Sequence, residues 1–392
     1  MKSHLFVFAF LMGILVFFSC YKLTESPPLW YDEGIYSQTA ANGLGNPSIQ
    51  VAPGERTSTS YLTVGYPVLL PVGLAYRSFG AGVWQGRMVM VAFIVGLGLM
   101  AYALMRRLYS RRIALFSLLL FATFPMLYGN GKTVIGEVPG LFFLVSCLYS
   151  LNYLERTKYQ DWRGYVAAGI TAGLCVATKP IFILLLAALC LAYIVRFRSI
   201  ALSLRGVALG VVAFTIPVAL WVYLQFGADA SLGAIWSMYV NPSGVDTVRV
   251  FMQENILRFV KESTPIYTAL LMLVWGAALV VRRKIKNISS AELAAFFFCI
   301  FIILAYLRIE GWYRYLFPAT VIALLFLPYS CRALFEAVKG KIPFFRHAAW
   351  LPAAFILALA CGQLYQTTSV SFVAEYYGST KTRDIAAALS SI

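Results

Sequence analysis

The sequence predicts an all-α integral membrane protein with about eleven transmembrane helices, and three observations support this fold class. Of the 392 residues, 60% are hydrophobic and only 12% are charged, whereas a soluble domain carries roughly 25% charged residues. Long apolar segments recur along the whole chain, and short basic runs separate many of them. Because each span needs about 20 apolar residues, these segments leave no room for a large soluble domain. We therefore predict one membrane-embedded domain over residues 1–392.

The first apolar segment, Leu5–Cys20, is either a cleaved signal peptide or an uncleaved first helix. The dipeptide Ser19–Cys20 resembles a lipoprotein cleavage site, but Phe17 stands where such sites usually carry Leu. We predict an uncleaved helix with Lys2 in the cytoplasm, because this placement orients the later loops best.

Ten further segments are predicted to cross the membrane. They are 82–104, 113–128, 138–154, 164–178, 181–196, 206–225, 265–281, 292–307, 315–331 and 348–367. The segments 113–128 and 164–178 are short for a span. We expect these two to stand nearly upright or to end in buried loops.

The basic runs fix the predicted orientation. Runs such as RRLYSRR at 106–112 and RRKIK at 282–286 fall on alternate loops, as the positive-inside rule requires of cytoplasmic loops. The net charge of +16 is thereby explained by topology, and nucleic acid is not an expected partner. We predict a multi-pass protein of the plasma (inner) membrane with a cytoplasmic N-terminus and an outer C-terminal tail at 368–392.

Two long loops are predicted on the extracytoplasmic side, at 24–80 and 226–264. Long loops in compact proteins are usually functional or disordered, and we expect these to be ordered because they carry Trp, Tyr and apolar stretches. The stretch Tyr61–Phe79 is apolar but contains Pro67 and Pro71. It predicts an interfacial helix that lies on the membrane, because a crossing here would invert every later loop.

Three acidic residues near outer span ends are candidates for catalysis. Asp32 and Glu33 are adjacent in LWYDEGIY, and adjacent side chains on a helix point about 100° apart, so we expect different roles for them. One carboxylate could act as a general base and the other could hold a hydroxyl or a cation. Glu137 begins a span in GNGKTVIGEVPG. The alternative for all three is an acid that stabilises a helix N-terminus.

Several cations also lie near predicted outer span ends, and the positive-inside rule does not explain them. They are Arg87, Lys132, Lys179 and Arg314. Binding of an anionic lipid phosphate would explain cations at this face. A guanidinium as deep as that of Arg87 needs a carboxylate or phosphate partner, or it must extend to the lipid headgroups.

Aromatic residues cluster near the same ends. They are Trp30, Tyr31, Trp236, Tyr239, Trp312 and Tyr313. Interfacial aromatic belts explain most such positions, and sugar stacking could explain one or two. Neither the seven Cys nor the two His residues indicate a zinc site. Asp32, Glu33 and Glu137 could hold a divalent metal, since hard cations favour oxygen ligands.

Five segments occur in an order that resembles the membrane-embedded GT-C glycosyltransferases. They are DE at 32–33, YPVLLPVGLAYRSFGAGVWQGRMVMV, GK with GEVPGLFF, ATKPIFIL and RYLFPA. Over about Tyr21–Leu327 the chain is most similar to the branch of protein O-mannosyltransferases, aminoarabinose transferases and lipopolysaccharide glycosyltransferases. This resemblance implies a polyprenyl-phosphate sugar donor, a hydroxyl acceptor on lipid, glycan or protein at the outer face, and no required cofactor.

The resemblance also implies roles for individual residues. Asp32 would match the catalytic base, Glu33 its partner and Glu137 the second acidic position. The residues expected to contact donor phosphate or sugar are Arg87, Lys132, Lys179, Arg314 and Tyr315. Two departures concern the mechanism and the acceptor: Glu33 stands where many relatives have Asp, and we expect no large C-terminal outer domain.

Two other classes of protein stay open at this point. A transporter or flippase for a lipid or lipid-linked sugar would carry polar residues at mid-bilayer on broken helices, often in repeats. The candidate charges here lie at one face, and no internal repeat is found. An inactive relative that only binds polyprenyl lipid is the third possibility. A nucleotide-driven pump is disfavoured because GxxxxGK[ST] is absent.

Overall fold

The computed structural model describes residues 2–43, 48–50, 56–58, 63–197, 200–226, 233, 245–282, 288–339 and 348–370. Trp236 and Tyr239, and the predicted outer tail beyond residue 370, lie outside these described residues.

The first half of the described chain forms α1 (Lys2–Cys20), α2 (Tyr31–Asn42), β1 (Ser48–Gln50), β2 (Arg56–Ser58), α3 (Tyr66–Phe79), α4 (Val83–Leu108), α5 (Arg111–Thr123), α6 (Pro125–Gly131) and α7 (Glu137–Arg156). The second half forms α8 (Trp162–Thr178), α9 (Leu184–Arg196), α10 (Leu204–Phe226), α11 (Val245–Lys261), α12 (Ser263–Val281), α13 (Ser290–Tyr306), α14 (Phe317–Lys339) and α15 (Leu351–Tyr365). Short 3-10 turns follow α8 at Pro180–Ile183 and precede α14 at Tyr313–Tyr315. The short antiparallel pair β1–β2 departs from the predicted all-α fold class.

The predicted all-helical membrane fold is confirmed, since every predicted span corresponds to a described helix. Six helices of the described chain are long and apolar enough to cross a membrane: α4, α7, α10, α12, α14, and α15 with the turn that extends it to Val370. The apolar helices near α1, α9 and α13 are shorter. A 17-residue helix extends about 25 Å, less than a hydrocarbon core of about 30 Å, so the count of eleven spans stays a prediction.

The span predicted at 113–128 is broken. Helices α5 and α6 meet at an angle of 60°. The break lies at Phe124, which is extended (φ −74°, ψ 113°) and precedes Pro125. A proline disfavours helical conformation in the residue before it, so Pro125 ends α5 and begins α6.

The main hydrophobic core lies between α4, α5, α7, α13 and α14. Leu97, Phe121, Leu144, Phe298 and Leu324 are each fully buried in it. Helix α10 instead exposes a face that includes Leu204, Val212 and Ile216. An exposed apolar face on a helix of this length is typical of contact with lipid tails.

Helix α3 and the first outer loop form a second, smaller core. Val64, Val68 and Val72 are fully buried in it. With 14 residues, α3 extends about 21 Å, which is too short to cross the membrane and agrees with the prediction of a non-crossing segment. The Gly65 amide donates to the carbonyl of Thr178 (3.1 Å), and this contact holds the start of α3 against the end of α8.

Candidate active site

The first turn of α2 carries Asp32 and Glu33. The helix starts at Tyr31, after Trp30 in extended conformation, so both carboxylates lie where the helix dipole favours negative charge. The side chain of Asp32 is 25% exposed and that of Glu33 only 2%. The two acids therefore point into different surroundings, as their helical separation predicts.

Glu33 forms a buried, two-pronged ion pair with Arg87 of α4. Arg87 Nε lies 2.8 Å from Oε1 and Nη2 lies 2.7 Å from Oε2. Arg87 Nη1 also donates to the carbonyl of Leu23 (2.8 Å), and the Val134 amide donates to Glu33 (3.2 Å). Arg87 is fully buried. One ion pair thereby joins α2, α4, the segment after α1 and the loop before α7.

Lys132 lies beside this pair, in the loop between α6 and α7. Its Nζ donates to the carbonyl of Tyr21 (2.6 Å), and its side chain is fully buried. Burial, together with the positive charge of Arg87, lowers the pKa of Lys132 to about 7. In this structure Lys132 fixes the chain after α1.

The lowered pKa of Lys132 predicts a pH dependence of stability. Between the folded pKa of about 7 and the ordinary value of 10.5, the unfolded state binds more protons than the folded state, so stability rises with pH in this window. We expect the unfolding temperature in detergent to rise from pH 7 to pH 9, and Lys132→Met to remove part of the rise. Lys261→Met, at the exposed end of α11, is the control, and an equal loss in both variants would contradict the assignment.

A second charged group forms where α2, α7, α8 and the turn before α14 meet. Arg314 Nη1 donates to Asp32 Oδ2 (2.5 Å), and Lys179 Nζ forms an ion pair with Glu137 Oε1. The Tyr315 ring lies under both cations, with its centroid 5.7 Å from Lys179 Nζ and 5.3 Å from Arg314 Cζ. These five side chains come from four separate segments and form one cluster.

Tyr36 belongs to the same cluster and was missed by the sequence analysis. Burial raises the pKa of its phenol, and the negative charges of Asp32 and Glu137 add to this rise. Its hydroxyl lies 2.7 Å from Thr63 Oγ1. Tyr36 is four residues after Asp32, so helical spacing could have placed both on one face of α2.

Two polar atoms of the cluster are buried without a hydrogen-bond partner in the described part of the chain. They are Arg314 Nε, a donor, and Glu137 Oε2, an acceptor. Both groups border the Tyr315 ring, Arg314 directly and Glu137 through its ion pair with Lys179. Buried polar groups are nearly always paired, by protein, water or ligand. A ligand with an anionic oxygen and a hydroxyl would satisfy both atoms.

Known proteins resemble the chain in both sequence and fold. Residues 71–223 match the family profile described as dolichyl-phosphate-mannose-protein mannosyltransferase. No curated protein sequence matches the chain significantly. The crystal structure of ArnT from Cupriavidus metallidurans bound to undecaprenyl phosphate aligns with a TM-score of 0.59 at 16% identity, over 93% of this chain and 72% of that one.

An oligosaccharyltransferase also aligns. AglB from Archaeoglobus fulgidus, in complex with an inhibitory peptide and a dolichol-phosphate, gives a TM-score of 0.55 at 17% identity, over 93% of this chain and 55% of that one. The chain has the fold of the GT-C glycosyltransferases. It spans about half the length of the oligosaccharyltransferase that it matches.

The structural matches show that the chain has the GT-C fold that the sequence resemblance implied. The profile match at 71–223 contains Arg87, Lys132, Glu137 and Lys179. The structure brings Asp32, Glu137, Lys179, Arg314 and Tyr315 into the second charged group. It places Glu33, Arg87 and Lys132 in the neighbouring buried group, where Arg87 is paired with a carboxylate.

The three acidic residues do not form a common metal site. Asp32 pairs with Arg314, Glu33 with Arg87 and Glu137 with Lys179. Within the described ranges, no group of three His, Cys, Asp or Glu residues could hold a metal ion. The arrangement therefore does not fit a divalent metal bound by all three acids.

Proposed function

We propose that this GT-C chain transfers a sugar from a polyprenyl-phosphate donor to a hydroxyl acceptor at the extracytoplasmic face of the plasma membrane. The observation that carries the proposal is the pair of buried, unpartnered atoms, Arg314 Nε and Glu137 Oε2, beside the accessible carboxylate of Asp32. A donor that contains both a phosphate and a sugar supplies the anionic oxygen and the hydroxyl that these two atoms lack.

The proposed reaction is a single in-line displacement. Asp32 takes the proton of the acceptor hydroxyl, and the acceptor oxygen forms a bond to the anomeric carbon. The bond from that carbon to the phosphate oxygen breaks, and its electron pair leaves with the lipid phosphate. The configuration at the anomeric carbon is inverted. Asp32 suits the role of base because its side chain is 25% exposed and within reach of an acceptor.

Departure of the lipid phosphate places negative charge on an oxygen, and the cluster holds two cations for it. Arg314 and Lys179 flank the Tyr315 ring, and Lys179 is nearly buried, with a side chain that is 8% exposed. One preorganised donor in a dry site can lower a barrier by about 3 kcal/mol. No nucleotide is required, since the lipid phosphate is already a leaving group.

The other charged residues of the site orient Asp32 and Lys179. Glu137 orients Lys179 through one oxygen, and its other oxygen is free to accept a hydroxyl of the donor sugar. Glu33 and Arg87 hold α2, and hence Asp32, against α4. We therefore assign Arg87 and Lys132 positioning roles rather than direct contact with phosphate.

The predicted orientation supports an extracytoplasmic site. Arg87 lies near the start of α4, whereas Arg106 and Arg107 lie in its last turn. A helix of 26 residues extends about 39 Å, so these two ends face opposite sides of a membrane. The basic end belongs in the cytoplasm by the positive-inside rule, which leaves the charged cluster outside.

One feature favours a transporter or flippase as the second candidate. The break between α5 and α6 carries a polar network in which Thr123 donates to Gln363 (2.8 Å) and Gln363 donates to Tyr267 (3.0 Å). Broken helices with polar groups form the substrate sites of many transporters. These three side chains satisfy one another and carry no charge. In the ionic cluster, by contrast, Arg314 Nε and Glu137 Oε2 lack a partner among the described residues, and this difference favours the enzyme.

Arg314→Met tests the proposal. We expect transfer of radiolabelled sugar from an undecaprenyl-phosphate donor, in proteoliposomes, to fall about 100-fold or more, because a cation at the leaving group is lost. Arg308→Met, in the same connection between α13 and α14 but exposed, is the matched control and should keep wild-type rates. Binding of undecaprenyl phosphate should weaken in the first variant only.

The same assay separates the three functional classes. A labelled covalent product that depends on Arg314 supports the transferase. Lipid-linked sugar that crosses the bilayer without a product would identify a transporter instead. Lipid binding with neither outcome, unchanged by Arg314→Met, would identify an inactive lipid-binding relative.

A further inference from the structure

Trp30 and Trp312 form an exposed aromatic pair beside the proposed catalytic groups. Their ring centroids are 5.8 Å apart and their planes meet at 71°. Trp30 is 48% exposed and Trp312 is 47% exposed. Each stands two residues before a member of the Asp32–Arg314 ion pair. On both segments the exposed pair therefore lies next to the Asp32–Arg314 ion pair.

The turn that carries Trp312 is held in place by α11. Asn255 Nδ2 donates to the carbonyls of Tyr306 (3.0 Å) and Ile309 (2.7 Å), and Arg258 Nη1 donates to the carbonyl of Gly311 (2.5 Å). A Cβ atom on Gly311 would lie 2.2 Å from Asn255 Oδ1, so the turn and α11 are in close contact. Trp312 is thus an exposed ring on a fixed backbone.

An interfacial belt does not account for this pair. Trp84, Trp162 and Trp350 are also exposed, and within the described residues none of their rings meets a second aromatic ring, although the Arg163 guanidinium lies over that of Trp162. Isolated tryptophans of this kind are typical of membrane interfaces. Trp30 and Trp312 instead come from two distant segments and meet beside the one accessible acid of the proposed site.

The surroundings of the pair favour a neutral ligand rich in hydroxyl groups. Trp312 Nε1 donates to Glu310 Oε2 (3.1 Å), and Tyr313 donates to Glu262. Arg258 lies 3.8 Å from Glu262, so both signs of charge border the aromatic surface. A sugar ring has apolar C–H faces that pack on aromatic rings and a rim of hydroxyls that pair with such groups.

An extended peptide fits this surface less well. Peptides that bind in extended form depend on main-chain hydrogen bonds. The carbonyls of Tyr306, Ile309 and Gly311 in this turn already accept from Asn255 and Arg258.

We propose that Trp30 and Trp312 form the acceptor subsite and that the acceptor is a neutral saccharide. The inference rests on the proposed function, because the pair can bind an acceptor only if Asp32 beside it is the base of the proposed transfer. It commits to one of the three acceptor classes that the sequence left open, namely a glycan rather than a lipid or a protein.

The test uses purified full-length protein in nanodiscs with radiolabelled undecaprenyl-phosphate sugar donors. Two neutral trisaccharides, cellotriose and α-linked mannotriose, and a threonine-containing hexapeptide are offered as acceptors. We expect label in at least one trisaccharide and none in the peptide. Trp30→Ala and Trp312→Ala should each lower kcat/KM for the trisaccharide at least tenfold, mainly through KM, and Trp→Phe should restore part of it.

The controls separate this inference from the proposed function. Trp162→Ala removes an equally exposed tryptophan and should change nothing. The Trp30→Ala and Trp312→Ala variants should bind undecaprenyl phosphate as the wild-type protein does. Transfer to peptide alone, transfer to neither trisaccharide, or trisaccharide transfer that is insensitive to Trp30 and Trp312 would each overturn the inference. Transfer to peptide that requires Asp32 would leave the proposed function standing.

Discussion

Asp32→Asn is expected to lower the rate of sugar transfer by about 10²–10⁴-fold, the range that general base catalysis contributes. Asparagine keeps the shape of the side chain and can still accept a hydrogen bond from Arg314, but it cannot take the proton of the acceptor. Because the side chain of its partner Arg314 is 22% exposed, the neutral replacement of Asp32 leaves no fully buried charge unpaired. The variant should therefore fold and should bind undecaprenyl phosphate. Initial rates in proteoliposomes, beside a thermal unfolding curve, measure both effects.

A matched control distinguishes loss of the base from loss of negative charge. Glu254 is an exposed acid on α11, in the second predicted outer loop at 226–264. Glu254→Gln removes the same charge on the same side of the membrane and should keep the wild-type rate. Near-wild-type turnover by purified Asp32→Asn protein would remove Asp32 from the mechanism.

The membrane fold could be predicted from the sequence because lipid imposes strong rules on composition. Segments long enough to span must be apolar throughout, and basic runs must lie on one side. The positions at which a predicted span bends or breaks are harder to predict from the sequence. The segment 113–128 reads as one apolar run, yet Pro125 divides it into α5 and α6 with a bend of 60°.

The candidate site was predictable as a set of residues but not as a set of pairs. Adjacent acids on a helix must point apart, so separate surroundings for Asp32 and Glu33 followed from sequence. Their partners did not, because Arg87 and Arg314 are far apart in the chain and either could meet either acid. Tertiary contacts alone put Arg87 with the buried carboxylate.

Two further features depended on contacts that no local pattern records. The sequence identified Trp30 and Trp312 as separate aromatic residues near outer ends, and only the fold brings their rings to 5.8 Å. The strands Ser48–Gln50 and Arg56–Ser58 are three residues long, too short to show the alternation that predicts a strand.

Glu33→Gln is expected to have the largest effect on stability. Arg87 is fully buried, and the change removes the charge that balances its guanidinium. Removing one member of a buried ion pair costs about 3–5 kcal/mol. We expect a clear fall in the unfolding temperature in detergent. Glu336→Gln is the control, because its partner Lys339 is at 3.7 Å in a largely exposed pair, and such pairs contribute about 0–1 kcal/mol.

The double variant Glu33→Leu, Arg87→Met decides what the pair does. Apolar residues of similar volume often replace a buried ion pair with little loss of stability, so the double variant should be more stable than Glu33→Gln. If Arg87 only positions α2, the double variant should still bind undecaprenyl phosphate and transfer slowly, since Asp32, Lys179 and Arg314 remain. If it recovers stability but loses phosphate binding, Arg87 contacts the donor directly, and the positioning role assigned to it here is wrong. Stability and lipid binding therefore have to be measured on the same preparations. Only a variant that recovers one property without the other shows whether Arg87 positions α2 or binds the donor phosphate.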